Sequence, residues 1–163
     1  SKLEMPLPEV GKQAPAFSLQ DQDGNLVSLK SFKGVKNVLV YFYPKALTPG
    51  WTVQACLLRD SKQKLSRQKL IVLGISPDPV SRLKKFKDKE SLNFSILSDE
   101  DHSVAELYGV WSLKKFMGRE YMGINRMSFL VGMDGKVKHV LSKVNTKSHH
   151  DLVLSLAKDL NRE

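Results

Sequence analysis

Two kinds of hydrophobic pattern alternate along the 163-residue chain. Nearly continuous apolar runs at 38–43 and 70–76 predict strands that are buried on both faces of a sheet. Between them, apolar residues at helical spacing predict a helix over about 52–68. A strand, a crossover helix and a second buried strand make a parallel βαβ unit, so the pattern predicts an α/β arrangement around these three elements.

Shorter elements are predicted on both sides of this unit. Asp23-Gly24 and Asp134-Gly135 are turn sequences between short apolar stretches (11–19 with 26–29, and 127–131 with 136–141), and they predict two β-hairpins. The other predicted elements are a helix begun by Asp78-Pro79, a strand at 94–97, a helix whose capping box is Ser98 and Asp101, and a last helix at about 149–161. Residues 111–123 have no clean period and are predicted to be a loop that includes an extended stretch.

The order of these elements mixes parallel crossovers with antiparallel pairs. It predicts a three-layer α/β/α fold with a central mixed sheet and an N-terminal β-hairpin. Residues 1–10 contain two prolines and no periodicity, so we expect an extended arm. The length is enough for one hydrophobic core, and residues 11–163 are therefore predicted to form a single domain.

The segment that joins the central strand to its helix contains the candidate chemistry. Pro44 to Gly50 form a turn, and Thr48 and Pro49 are residue types that begin helices. The free N–H groups and the dipole of a helix start favour a negative charge, whether a thiolate or a bound anion. Cys56, the only cysteine, lies farther along the same helix. The sequence therefore predicts a reactive site where this helix begins.

This segment resembles the signature of the peroxiredoxins. Pro44-x-x-x-Thr48-x-x-Trp51 is similar to the Pro-x-x-x-Thr-x-x-Cys motif of that family, except at its last position. The longer match is similar to the bacterioferritin-comigratory-protein (PrxQ) branch: Tyr-Phe-Tyr-Pro-Lys (41–45), Thr-Pro-Gly (48–50) and Thr-x-Gln-Ala-Cys (52–56). The resemblance extends from Gly11 to the last helix and includes Leu-Ser-Asp-Glu-Asp-His (97–102) and Lys-Lys-Phe-Met-Gly-Arg (114–119).

The resemblance implies a thioredoxin-like fold and a thiol-specific peroxidase. Such enzymes reduce hydrogen peroxide and organic hydroperoxides with thioredoxin as the electron donor, and they use no metal, flavin or haem. By resemblance, Trp51 occupies the peroxidatic cysteine position, Cys56 is the resolving cysteine, and Pro44, Thr48 and Arg126 belong to the peroxide site. Indole cannot replace a thiolate in this reaction or form a disulfide, so this chain is expected to be inactive.

The origin of Trp51 leaves alternatives open. Because the other motif residues fit the active pattern, we favour a laboratory substitution over a natural loss. One alternative is a naturally redox-dead thioredoxin-fold protein with a binding or chaperone role. Another is an enzyme that uses Cys56 alone, although this residue lies about a turn and a half inside the helix, where the N-terminal field has faded.

Helix geometry gives an expectation about the first turn. Five residues rise about 7.5 Å and rotate about 140°, so the Cα atoms of Trp51 and Cys56 should lie about 9 Å apart, whereas a disulfide needs less than about 7 Å. An active relative would therefore have to unwind this turn. Because an indole is far larger than a thiol, we expect residues 48–56 to be frayed, with a late-starting helix and the indole on another apolar surface.

The charge of the chain does not predict a nucleic-acid partner. The formal net charge is +9, but the lysines are spread along most segments. In the densest cluster, Arg82 to Lys89, Leu83 and Phe86 are at helical spacing on the side expected to be buried, which is typical of a solvated helix face. We expect weak affinity for DNA and RNA, to be checked by gel-shift titration; sub-micromolar binding at physiological salt would contradict this.

The remaining features predict no further site. Adjacent ligands in His149-His150-Asp151 would lie on different sides of a helix start, and His102 and His139 lack a nearby cysteine or spaced carboxylates, so no metal site is predicted. No apolar run is long enough for a membrane span, and the N-terminus lacks the apolar core of a signal peptide. We therefore expect a cytoplasmic protein with no membrane partner. We also expect a monomer.

Overall fold

A seven-stranded mixed sheet organises the molecule, which is a computed structural model that describes residues 6–46, 48–142 and 145–162. Its strands are β1 (Ser18–Asp21), β2 (Leu26–Ser28), β3 (Asn37–Phe42), β4 (Leu70–Ser76), β5 (Ser95–Ser98), β8 (Met127–Val131) and β9 (Val137–Ser142). They lie in the order β2-β1-β5-β4-β3-β8-β9. Strands β6 (Trp111–Phe116) and β7 (Arg119–Ile124) form a separate hairpin.

Helices cover both faces of the sheet. They are α1 (Pro49–Asp60), α2 (Lys62–Arg67), α3 (Val80–Glu90), α4 (Ser103–Leu107) and α5 (His149–Leu160). Alternate residues of β3 separate the two faces, because side chains of a strand point to opposite sides. Leu39 and Tyr41 pack with α1, α3 and α5, whereas Val40 and Phe42 pack with α4. The predicted three-layer α/β/α fold is confirmed.

The predicted βαβ unit is present at the centre of the sheet. Strand β3 pairs in parallel with β4 and antiparallel with β8. Every residue of β3 is buried, as expected from its continuous apolar run. Both predicted hairpins, β1–β2 and β8–β9, are also formed.

Three local predictions are wrong. Residues 111–123 lie mostly within the β6–β7 hairpin rather than a loop, and the hairpin turns at Met117 and Gly118, which have positive φ angles of 51° and 79°. The predicted helix over 52–68 begins earlier and is divided into α1 and α2 at Ser61. Helix α4 is not begun by a capping box at Ser98; instead, the Asp99 carboxylate accepts the N–H groups of its first turn.

The N-terminal prediction is only partly within the described residues. Residues 1–5 of the expected arm lie outside them, and residues 6–10 contain no helix or strand. The following segment is held against the second hairpin, because the Gly11 amide donates to the Val137 carbonyl at 2.8 Å. No helix in the described part of the chain is long and apolar enough to cross a bilayer.

Candidate active site

Helix α1 is regular from its first turn. Thr48 precedes it with extended backbone angles, and the Thr52 amide donates to the Thr48 carbonyl at 2.9 Å. The Thr48 hydroxyl donates to the Lys45 carbonyl at 2.9 Å instead of capping the helix. The prediction of a frayed or late-starting helix near Trp51 is therefore wrong.

The turn before α1 is held by a buried carboxylate. Asp78 is 5% exposed, and its Oδ2 accepts hydrogen bonds from the Ala46 amide and the Ser76 hydroxyl, both at 2.7 Å. The sequence predicts that Asp78-Pro79 begin α3, with Asp78 as the N-cap, but the residue at the N-cap is Pro79. The carboxylate instead fixes the turn after β3, in which Pro44 is exposed.

The indole of Trp51 packs inward, against the sheet, and is 0% exposed. It stacks on the Tyr43 ring with a centroid distance of 4.0 Å and an interplanar angle of 16°. It also meets the Tyr41 ring edge-on at 4.8 Å, and Phe86 and Phe94 lie at 6.1 and 6.4 Å. The side chain is therefore part of an aromatic cluster, and not an insertion between Thr48 and Arg126.

A glycine on the neighbouring strand provides room for the indole. A Cβ atom at Gly74 would lie 3.2 Å from Cζ2 of Trp51. Burying about 200 Å² of a tryptophan at about 25 cal/mol per Å² contributes about 5 kcal/mol. The Trp51 Nε1 and the Tyr43 hydroxyl have no hydrogen-bond partner among the described residues, which costs about 1–3 kcal/mol each. The burial contribution is of the same order as these two penalties together, and the aromatic contacts with Tyr43 and Tyr41 add about 0.5–1.5 kcal/mol each, which favours a regular helix with a buried indole.

Arg126 lies against the start of α1. A Cβ atom at residue 50 would lie 2.5 Å from Nη1 of Arg126, so a larger residue at this position would require the guanidinium to shift. Nη1 also donates to Oε1 of Gln54 at 3.4 Å. Arg126 has no carboxylate within ion-pair distance in the described ranges. The structure thus brings Arg126 to the first turn of the helix, whereas the Thr48 hydroxyl is directed to Lys45.

Gln54 is a site residue that the sequence analysis did not assign. It is 2% exposed, and its Oε1 accepts hydrogen bonds from the Tyr41 hydroxyl and from Arg126. Burial raises the pKa of Tyr41, so this phenol stays protonated and remains a donor. The sequence contains a signal that could have identified Gln54. It is a polar residue three positions after Trp51, on the buried face of the helix.

Cys56 does not face Trp51. Its Sγ lies 3.5 Å from Oε2 of Glu90, at the end of α3, and the thiol is half-buried. Burial, together with the hydrogen bond to Glu90, raises the pKa of the Cys56 thiol. The thiolate is the reactive form of cysteine, and a raised pKa reduces its population. This environment therefore weakens the alternative of an enzyme that uses Cys56 alone.

His149 is buried beneath the same region. Its ring lies 4.9 Å from the ring of Tyr41, and its Nε2 is 2.7 Å from the hydroxyl of Ser128. Burial, together with the nearby charges of His150 and Arg126, lowers the pKa of His149 to about 4. No group of three or more potential metal ligands from His, Cys, Asp and Glu occurs in the described part of the chain.

The lowered pKa of His149 predicts acid sensitivity. The ordinary value is 6.5, so between about pH 6.5 and 4 the unfolded chain binds a proton that the folded chain does not. Stability should fall as the pH decreases through this window, by on the order of 3 kcal/mol. Urea unfolding of the parent and of His149→Phe at pH 7.0 and 4.5 checks this, and equal pH dependence of both chains would contradict it.

Comparisons with known proteins identify the family of this chain. A model described as the AhpC/TSA family matches residues 10–140. The chain belongs to the AhpC/TSA family. It is 54% identical over 151 residues to peroxiredoxin Bcp of Escherichia coli K12, covering 93% of this chain and 96% of that protein. It is 40% identical over 155 residues to peroxiredoxin Bcp of Bacillus subtilis, covering 95% and 98%.

Solved structures of this family have the same fold. Peroxidoxin BcpB from Mycobacterium tuberculosis matches with a TM-score of 0.84 and 30% identity, over 94% of this chain and 98% of that one. Peroxiredoxin Q from Xanthomonas campestris matches with a TM-score of 0.83 and 29% identity, over 88% and 90%. The resemblance to a Bcp/PrxQ peroxiredoxin with a thioredoxin-like fold is confirmed, and by family the chain is related to peroxidases.

Proposed function

We propose that this chain is a PrxQ-type peroxiredoxin whose peroxidase reaction is abolished by Trp51. The observation that carries the proposal is the buried indole in the first turn of α1, at the motif position for a nucleophilic thiolate and one residue after Gly50, against which Arg126 lies. The rest of the arrangement is suited to peroxide. An N-terminal helix turn and a guanidinium both stabilise negative charge.

The reaction that we assign to the cysteine form is a two-electron transfer. A thiolate at residue 51 attacks one oxygen of the hydroperoxide, an S–O bond forms as the O–O bond breaks, and the departing oxygen takes a proton to leave as water or an alcohol. The sulfur is thereby oxidised to a sulfenic acid. Arg126 stabilises the charge on the departing oxygen. Indole is neutral and has no nucleophilic lone pair comparable with that of a thiolate. The attack on the hydroperoxide therefore cannot occur at Trp51.

The finer assignments rest on the same family likeness. We propose hydrogen peroxide and organic hydroperoxides as substrates and thioredoxin as the electron donor. We also propose that residues 11–163 act as one domain and that the protein functions as a cytoplasmic monomer. In the catalytic assignment, Pro44 and Thr48 shape the peroxide site and Cys56 resolves the sulfenic acid.

Thioredoxin-coupled turnover tests this proposal. The Trp51→Cys variant should consume peroxide continuously in the presence of thioredoxin, thioredoxin reductase and NADPH. The parent chain and Trp51→Ser should show only the background rate, and Trp51→Ser is the matched control for removing the indole without adding a thiol. A folded Trp51→Cys variant with no turnover would contradict the proposal.

A disulfide is expected in the oxidised Trp51→Cys variant. Because residues 51 and 56 are about 9 Å apart in an intact helix, oxidation must be followed by unwinding of the first turn. Treatment with peroxide should then give an internal disulfide between residue 51 and Cys56, seen as a two-proton mass loss. The same variant carrying Cys56→Ser should instead stop at the sulfenic or sulfinic acid. Finding only sulfinic acid with Cys56 present would show that this residue does not resolve.

A redox-inactive binding protein is the second candidate, and the fit of the indole favours it. The indole stacks on Tyr43, and Gly74 has no side chain that would occupy the same space. Together they form a pocket that fits a tryptophan. If the chain has adapted to Trp51, placing tryptophan at the matching position of Escherichia coli Bcp should destabilise that protein. Equal tolerance in both proteins would remove the support for a natural loss of the cysteine.

A further inference from the structure

A recess opens beside the first half of β4. Strand β5 pairs with β4 from Leu73 and Ser95 onward, so the first three residues of β4 (70–72) pair with β3 on one side and with no strand of the described structure on the other. Helix α2 is only six residues long and lies over this gap without closing it. The recess has a volume of about 270 Å³, and it lies at the opposite end of α1 from Trp51.

The interior of the recess is apolar. Eight of its twelve lining residues are hydrophobic. Leu65 and Leu70, each 3% exposed, form part of its base, whereas Phe32, Ile71 and Phe94 are half-buried and keep accessible surface. Water finds few polar partners in such surroundings, so an apolar occupant is favoured. Since an apolar cavity of about 150 Å³ holds a benzene molecule, this recess has room for a body of about ten carbon atoms.

The mouth of the recess is positively charged. Lys62 reaches over it from α2, and its Nζ donates to the Asn93 carbonyl at 2.7 Å. An ammonium group has three N–H donors, so two remain for another acceptor. Lys62 has no carboxylate within ion-pair distance in the part of the chain that the structure describes. The mouth therefore offers a cation that a ligand can pair with.

A second, shallower depression extends this positive region. It adjoins the recess through Lys62 and Ser66 and also contains Arg67. None of the described residues that line either depression is an Asp or a Glu. The sequence from 61 to 77 contains four Lys and Arg residues and no acid. An apolar interior thus meets a positive mouth that no neighbouring acid balances.

We propose that this recess binds a hydrophobic carboxylate. Its apolar body, of about ten carbon atoms, occupies the space against Ile71 and Phe94, and its carboxylate accepts hydrogen bonds from the Lys62 ammonium at the mouth. A neutral hydrocarbon would leave the cation unpaired, and a small anion such as acetate would leave the interior unfilled. Neither Trp51 nor Arg126 lines the recess, so the proposal stands or fails separately from the proposed function.

A titration with 2-naphthoate tests the proposal on the parent chain. In two-dimensional NMR spectra at physiological salt, binding should be saturable with a Kd below about 1 mM. The ring protons should show nuclear Overhauser contacts to methyl groups of Leu65, Leu70 and Ile71. The neutral 2-naphthamide has the same ring and should bind about threefold more weakly or worse. Absence of these contacts, or equal affinity for the amide, would overturn the proposal.

A lysine variant tests the charge at the mouth. Lys62→Met retains most of the apolar stem and removes the ammonium, so it should weaken 2-naphthoate binding by about threefold or more while leaving 2-naphthamide binding within about twofold. Lys64→Met is the matched control, because Lys64 is on the same helix but does not line the recess. Equal effects of the two variants would overturn the pairing assigned to Lys62.

A blocking variant tests the location. Ser66 is an exposed residue of α2 at the mouth, and Ser66→Phe should weaken 2-naphthoate binding by about tenfold or more because the added ring occupies the space of the ligand. Ser155→Phe, at an exposed position of α5 outside the recess, should leave the affinity unchanged. Unchanged binding in a folded Ser66→Phe variant would overturn the location. If Ser66→Phe does not fold, the Overhauser contacts in the parent chain decide it.

Discussion

Replacing Trp51 with cysteine is expected to lower the free energy of unfolding by about 3–5 kcal/mol. The indole is completely buried and stacks on Tyr43, so its removal leaves a cavity under α1. For a chain of this size, each kcal/mol shifts the Tm by about 2–4 °C, so a decrease of about 6–20 °C is expected. Urea unfolding followed by far-UV circular dichroism measures the free energy, and calorimetry measures the Tm.

Trp51→Phe is the matched control for this result. A phenyl ring retains contact with Tyr43 and Tyr41 and lacks the Nε1 donor, which has no partner in the described structure. It should therefore destabilise the protein much less than cysteine does. A loss below about 1 kcal/mol for Trp51→Cys would show that the indole does not contribute to the core in solution.

The second large effect concerns Arg126 in the Trp51→Cys background. Arg126→Met should lower the second-order rate constant for thiol oxidation by peroxide by about 10²-fold or more. The reason is the position of its guanidinium against the first turn of α1. In the proposed reaction, negative charge develops there on the departing oxygen. Stopped-flow fluorescence with excess peroxide measures this rate constant directly.

An exposed arginine provides the control for that measurement. Arg119, on the β6–β7 hairpin, has the same charge but lies outside the candidate site. Arg119→Met in the Trp51→Cys background should leave the rate within about twofold, since general surface charge has only a small effect at physiological salt. Equal rates for the Arg126 and Arg119 variants would contradict the role assigned to Arg126.

The centre of the fold could be predicted because its signals are local. The continuous apolar runs of β3 and β4 and the turn sequences at Asp23-Gly24 and Asp134-Gly135 each identify an element without knowledge of its neighbours. The β6–β7 hairpin lacks such a signal. Its strands do not alternate cleanly between apolar and polar residues, and Phe116 and Met117 near its turn are 66% and 86% exposed.

The candidate site was predictable only in part. The motif resemblance implied that Arg126 would reach the start of α1, and the structure places it there. The direction of the Trp51 side chain depends on Tyr43 and on Gly74, a residue on a different strand, so the helix position alone could not give it. The size of the indole predicted a frayed turn, whereas aromatic contacts across the fold stabilise a regular one.

The histidine behind the site shows the same limit. From the sequence, the only role that could be considered for His149 and His150 was metal binding. Their adjacent positions at a helix start do not favour that role. The contact between His149 and Ser128 joins the first turn of α5 to β8, 21 residues apart in the chain. A polar residue on a buried helix face, such as Gln54, is a signal that sequence analysis can use; a long-range pair such as His149 and Ser128 is not.

The most direct test of the central claim, that this site lacks only its nucleophile, is a single turnover without any reductant. The parent chain, Trp51→Ser and Trp51→Cys are mixed with limiting hydrogen peroxide, and the peroxide consumed and the mass of each protein are measured together. Trp51→Cys should rapidly consume one peroxide per chain and carry the oxidation at residue 51, whereas the parent and Trp51→Ser should consume almost none. Rapid consumption by the parent, or none by a folded Trp51→Cys variant, would contradict the claim.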